Sequence, residues 1–185
     1  MRQGRMLKNR KNTACCSKRI PLIKDNRLFI KLVMLILLAA PVQAGLGLAQ
    51  NFISETSQPG AFPVVSSGRA ASLCYDPDDH KGVIRAIGDL QADMERVTGR
   101  KPNLVTDRSG SGYSIIIGTL GESKLIDGLA ASGKLDTAAL KGKWECFLIA
   151  TVDKPASDID QALVIAGSDK RGTIYGIYEL SEQLG

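Results

Sequence analysis

Residues 162–185 read ALVIAGSDKRGTIYGIYELSEQLG, and they decide the fold. Ala162–Ala166 is an uninterrupted run of apolar residues, the pattern of a buried strand. A turn of Gly, Ser and Asp follows, and a helix begins near Arg171 with Ile174, Ile177, Leu180 and Leu184 along one stripe and Tyr175 and Tyr178 on its flanks. A strand running through a tight turn into an amphipathic helix makes a layered domain of helix on sheet.

Working toward the N-terminus, the firmest helix lies over 80–98. Val83, Ile87, Leu90, Met94 and Val97 recur at steps of four, three, four and three, which is one face of a 3.6-residue period. Gly99 supplies the stop and Pro102 prevents continuation. Gly88 sits inside this helix at a cost of about 1 kcal/mol relative to Ala, which suggests close packing at that point. Strands are expected at Phe62–Ser66, Ala71–Tyr75, Asn103–Thr106, Tyr113–Gly118, Trp144–Val152 and Ala162–Ala166, with small helical pieces at Lys124–Ala131 and Asp136–Leu140. Several strands follow one another without a long helix between them. The expected fold is therefore α+β, a two-layer mixed sheet with helices packed on one face; a doubly wound parallel sheet is the second choice.

Charge divides the chain. Residues 1–31 hold ten of the 24 Lys and Arg but only one acid, Asp25, leaving the rest with a formal net charge of −4. The folded part has no surplus of cations to neutralise phosphates, so nucleic acid is not an expected partner. The cationic stretch leads into Leu32–Ala40, nine uninterrupted apolar residues, and then into the small residues of Val42–Ala44. That is the layout of a secretory signal peptide, with cleavage after Ala44 or after Ala49. The apolar run is well short of the about 20 residues a membrane-spanning helix needs, so no stable membrane span is expected, and no Cys follows it for a lipid anchor. The domain reading is a signal peptide over 1–49, a Gly/Ser/Gln-rich linker over 50–61 and one domain over 62–185. Secretion or a periplasmic location follows. Cys15 and Cys16 would leave with the leader; Cys74 and Cys146 remain, either as buried thiols or as a pair, since an exported protein permits disulfides.

Three motifs invite a chemical reading. The turn Gly167–Gly172 lies at a helix N-terminus, where an anion or a nucleotide phosphate can bind. It is neither a P-loop nor a dinucleotide fingerprint, and Ser168 or Asp169 is expected to cap the helix while Gly172 and Gly176 let it lie close to the sheet. Asp76, Asp78, Asp79 and His80 could gather a cation, but their place before a helix makes capping the expected role. Ser111 and Ser114 lie near glycines without the GxSxG elbow of a nucleophile, and Trp144 fits a core or domain-interface position. No catalytic, cofactor-binding or metal-binding residue is expected, and no cofactor.

The segments 86–102, 115–129, 142–149 and 162–185 are similar, in collinear order, to glycoside hydrolase family 115, the xylan α-glucuronidases; GSDKRGTIYGIYELSEQ is the strongest element. The resemblance covers about Phe62 to Gly185. It implies an α+β accessory domain preceding a catalytic barrel, and an inverting hydrolase that removes glucuronic acid from xylan side chains. Inversion needs two carboxyl groups roughly 6.5–9.5 Å apart, and in this family both lie on the barrel, downstream of the position matching Gly185. The implied partners are that barrel, missing from this sequence, and a xylan-type polysaccharide. The expected function is the non-catalytic N-terminal domain, a fragment, of an exported α-glucuronidase; the alternative is a free-standing carbohydrate- or protein-binding module.

Overall fold

Apolar residues at alternate positions of a strand face opposite sides of a sheet, and here both sides are covered. The computed structural model describes residues 6–7, 12–14, 52–54, 56, 60–106 and 112–185. In chain order the strands are β1 (Met6–Leu7), β2 (Asn12–Ala14), β3 (Ile53–Ser54), β4 (Phe62–Pro63), β5 (Val65–Ser66), β6 (Arg69–Ala70), β7 (Ser72–Tyr75), β8 (Leu104–Val105), β9 (Gly112–Thr119), β10 (Phe147–Ala156) and β11 (Ile159–Gly167). The helices are α1 (Lys81–Thr98), α2 (Lys124–Ala131) and α3 (Lys170–Leu184).

The main sheet has the order β2-β10-β11-β9-β7-β8. β8, β7, β9 and β11 run parallel, whereas β10 is antiparallel to β11 and to β2. The mixed sheet and the α+β class therefore stand as expected. Leu73, Ile115, Ile117, Ile149, Leu163 and Ile165 point to one face, against Val83, Ile87, Leu90 and Met94 of α1 and Ile177, Leu180 and Leu184 of α3. Each such side chain contributes roughly 1.5–3 kcal/mol by leaving water. The two long helices thus share one face; Val97, at the end of the α1 stripe, is only half-buried.

The other face is not bare. Cys74, Ile116, Leu148, Ala150, Val164 and Ala166 meet Leu125, Ile126 and Leu129 of α2 together with Leu135 and Leu140 of the following loop. The two-layer expectation left this covering out, because the eight residues of α2 are too short a segment to announce a layer by period. Residues 136–140 form turns rather than a helix, and β10 starts at Phe147 instead of Trp144.

The stretch read as a linker contributes too. Phe52 is buried in the α1/α3 core, and β3 joins a small sheet of order β3-β1-β4. β1 and β2 come from the stretch read as a leader; its apolar run and both cleavage positions lie outside the described residues.

Gly88 does not mark a close contact: a Cβ there would meet nothing within 4 Å. Among the helical glycines the close approaches are in α3. A Cβ at Gly172 would run into the backbone carbonyl of Cys146, and one at Gly176 would lie 2.8 Å from Ile165 Cγ2 and 3.2 Å from Phe147. Gly88→Ala is expected to raise stability by about 0.5–1 kcal/mol, whereas Gly172→Ala should lower the thermal midpoint by several degrees. Thermal unfolding of both variants checks the pair, and a Gly172→Ala protein as stable as the parent would contradict the docking of α3.

Candidate functional site: the carboxyl ends of the strands and the ridge of the last helix

In a sheet of this kind, ligands settle outside the carboxyl ends of the parallel strands, where chain connections diverge. Here the connections diverge between β7 and β9, and the protein's own carboxylates occupy that place. Asp76 Oδ2 accepts the N–H of Lys124, the first residue of α2, at 2.8 Å, and its Oδ1 accepts from Asp78 N–H at 3.0 Å. Asp79 Oδ2 accepts the N–H of Thr119 at the end of β9 at 2.8 Å, and its Oδ1 the N–H of His80 at 2.7 Å. Both aspartates are buried. The expected capping role is thus corrected in its target. His80 is the N-cap of α1 and makes no side-chain cap bond, while Asp76 caps α2, 48 residues further on. Lys124 Nζ adds an exposed bond to Asp78 Oδ2 at 2.6 Å, which lowers the Asp78 pKa and raises that of Lys124.

The N-terminus of α3 is filled in the same way. Asp169 Oδ1 accepts from Arg171 N–H at 2.9 Å and Gly172 N–H at 2.8 Å, and Oδ2 accepts from Glu145 N–H at 2.7 Å. Burial pushes the Asp169 pKa upward, but the three backbone donors and the nearby Arg171 guanidinium outweigh it and leave the carboxyl below its ordinary value. Ser168 Oγ accepts the Cys146 N–H at 3.1 Å. A carboxylate therefore sits where a phosphate would have to bind, and the anion- or nucleotide-binding reading of Gly167–Gly172 is set aside.

Among the described residues the remaining motifs do not come together as a site either. Ser114 is fully buried within β9, and Ser111 lies outside the described residues. Among the described residues no group of three or more His, Cys, Asp or Glu side chains is placed to hold a metal ion. Cys74 on β7 and Cys146 before β10 are buried thiols separated by β9 and β11. Three strand spacings amount to about 14 Å, beyond the roughly 7 Å that a disulfide spans between Cα atoms.

What stands out is a ridge. Trp144 is 85% exposed, which removes the core option for it, and the next residue, Glu145, turns the chain with φ +56°. Arg171 joins this loop to α3: its guanidinium is 2.9 Å from Glu145 Oε1, donates to the Tyr175 hydroxyl at 3.0 Å and lies 5.9 Å from that ring's centre. The Tyr175 hydroxyl and the Glu145 carboxylate raise the Arg171 pKa further. Tyr178, one turn on, donates to Asp89 Oδ2 at 2.9 Å, and its pKa is raised. Tyr175 and Tyr178 keep 41% and 46% of their surface in water, enough to continue the ridge from Trp144. Sequence reasoning placed both tyrosines on the helix flank but missed the Glu145–Arg171 link; an acid and a base 26 residues apart leave no local period to detect.

The fold is thus a mixed-sheet α+β domain with its anion positions filled from within and an aromatic ridge along α3 and the loop before β10. Residues 73–180 match the family described as "Glycosyl hydrolase family 67 N-terminus", and the chain belongs to that family. Among solved structures it is similar to a family GH115 4-O-methyl-α-glucuronidase with specificity for decorated arabinogalactans, at 32% identity and a TM-score of 0.53, over 65% of this chain. The matched part spans 14% of that chain. No curated protein matches. Family and fold together make this an N-terminal domain of the α-glucuronidase type, and a free-standing binding module is not favoured.

The Asp169 cap carries a signed pH dependence. Its folded pKa is depressed, so its contribution is complete above the unfolded value of about 3.9 and disappears as pH falls through the folded value. Asp169→Ala should cost about 1–2 kcal/mol at neutral pH, and urea unfolding of both proteins should show the gap closing at pH 3. An unchanged gap there would place the effect elsewhere.

Proposed function

We propose that this chain is the non-catalytic N-terminal domain of an exported α-glucuronidase that removes glucuronic acid or its 4-O-methyl ether from polysaccharide side chains. The observation that carries the reading is the family match over residues 73–180, joined to an α-glucuronidase of known structure of which the chain spans only a small share. The backbone is taken as xylan from the sequence resemblance, while the solved relative's arabinogalactan specificity marks the main competitor.

In this reading the acid and base carboxylates lie on a separate catalytic domain, and the ridge of Trp144, Tyr175 and Tyr178 is the surface that meets it. Incubated with glucuronoxylan, the purified chain should release no uronic acid, and it should self-associate through the uncovered ridge. Trp144→Ala should shift sedimentation toward monomer. Turnover in a preparation free of longer enzyme would sink the assignment.

Export is part of the same proposal, with residues 1–49 as signal peptide and the mature chain starting at Gly45 or Gln50. Among the described residues no helix is long and apolar enough to cross a membrane. Cleavage would remove β1 and β2 and open the edge of β10 at Phe147–Ile149. N-terminal sequencing of exported protein is expected to begin at one of those two residues; material that still starts at Met1 would refute it.

A further inference from the structure

At the opposite end of the sheet, away from the ridge, the amino ends of β7 and β9 open into a cleft of about 460 Å³. Its walls are the β5–β6 hairpin, the turn that follows α1, and the first residues of β7 and β9. The size falls within the roughly 300–1,000 Å³ of small-ligand sites. The lining brings together three cations, Arg69, Arg100 and Lys101, and no described lining residue is a carboxylate. Lys101 is held by Glu95 only at 3.7 Å, on the flank. Three cations gathered around one opening, on a domain whose charge beyond residue 31 is net negative, select an anionic group.

The cations stand on fixed backbone. Ser67 and Gly68 have φ +50° and +75°, the left-handed pair of a tight hairpin, and they set Arg69 at the rim. After α1, Gly99 closes the helix through its N–H to Glu95 O at 2.8 Å. Thr98 Oγ1 accepts from Arg100 N–H at 3.2 Å, and Gln91 Nε2 donates to Pro102 O at 2.7 Å. Leu73 N–H donates to Asn103 O at 2.8 Å, which ties the turn to β7. Such anchoring reduces the ordering needed on binding.

The rest of the cleft says what the anion is attached to. Polar Ser72 and Asn103 and aromatic Tyr113 are among its lining residues, the Tyr113 ring standing edge-on to Phe62 with centroids 6.0 Å apart. A simple phosphate would leave most of this volume unused, and a nucleic acid would find too few cations and a single aromatic platform. Guanidinium groups suited to a carboxylate, in a cleft of sugar-ring size with Ser72, Asn103 and Tyr113 in its lining, together fit an acidic sugar. We propose that this cleft is a binding site for a carboxylate-bearing saccharide, one or two residues long, on a polysaccharide chain. It would hold substrate by a uronic acid away from the catalytic domain; the choice of a uronic acid rests on the α-glucuronidase reading.

The test is calorimetry of the full chain with three probes: a xylo-oligosaccharide bearing 4-O-methylglucuronic acid, the same oligosaccharide undecorated, and inorganic phosphate. The decorated sugar should bind, weakening as salt rises, with the undecorated one about tenfold or more weaker, as the loss of a charge-assisted contact predicts. The Arg69→Ala/Arg100→Ala double variant should lose about tenfold in affinity for the decorated sugar. All three cations are exposed, so its thermal midpoint should stay put, and Arg85→Ala, on α1, should bind as the parent does. Equal binding of decorated and undecorated sugars, an unaffected double variant, no binding at all, or phosphate binding as tightly as the sugar would each overturn the proposal. None of those outcomes bears on uronic acid release, so the site can be lost while the family assignment and the activity reading stand.

Discussion

Helix α3 lies so near the sheet that at Gly172 there is no room for a side-chain carbon against the carbonyl of Cys146. Much of the local structure depends on that contact. With the helix this low, Asp169 reaches both its own helix N-terminus and the backbone of Glu145 on the neighbouring loop. The loop that would otherwise continue β10 toward its start is turned out at Glu145, and Trp144 is left in water. A packing restriction inside the molecule thus sets the most conspicuous feature of its surface.

The carboxyl ends of the strands are closed to outside anions as well. Parallel strands followed by helices create positions where exposed N–H groups attract anions, and many enzymes of this general build use them. Here Asp76, Asp79 and Asp169 each deliver a carboxylate oxygen to such donors. The carboxyl ends of the strands are chemically satisfied, which suits a domain that supports another.

How much of this could be read from the sequence depended on distance along the chain. The α1 stripe from Val83 to Met94, the strand at Ala162–Ala166 and the Asp169 cap are all set by neighbours within a few residues, and all were legible. The partners of Asp76 and Asp79 are 48 and 40 residues away, so the local view assigned these acids to the helix directly after them. Gly88 and Gly172 look alike as helical glycines, yet only the second lies under a sheet. Phe52 looked like part of a linker because the stretch around it is rich in Gly, Ser, Gln and Asn without an apolar period; its burial is provided by strands and helices distant in sequence. The ridge was half legible, since Tyr175 and Tyr178 follow from the helical period while the exposure of Trp144 follows from a turn.

The three carboxylate contacts also bear on how the domain holds together as a unit. One joins the β7–α1 segment to the start of α2, another joins the same segment to the end of β9, and the third joins the loop before β10 to the start of α3. None can close until both of its segments are in place, because each spans a long stretch of chain whose entropy must first be lost. They therefore act as latches between successive parts of the sheet, coupling the early and late halves of the chain, so that loosening one half removes partners from the other. Each latch thus ties the position of one helix or strand end to a segment laid down much earlier or later in the chain.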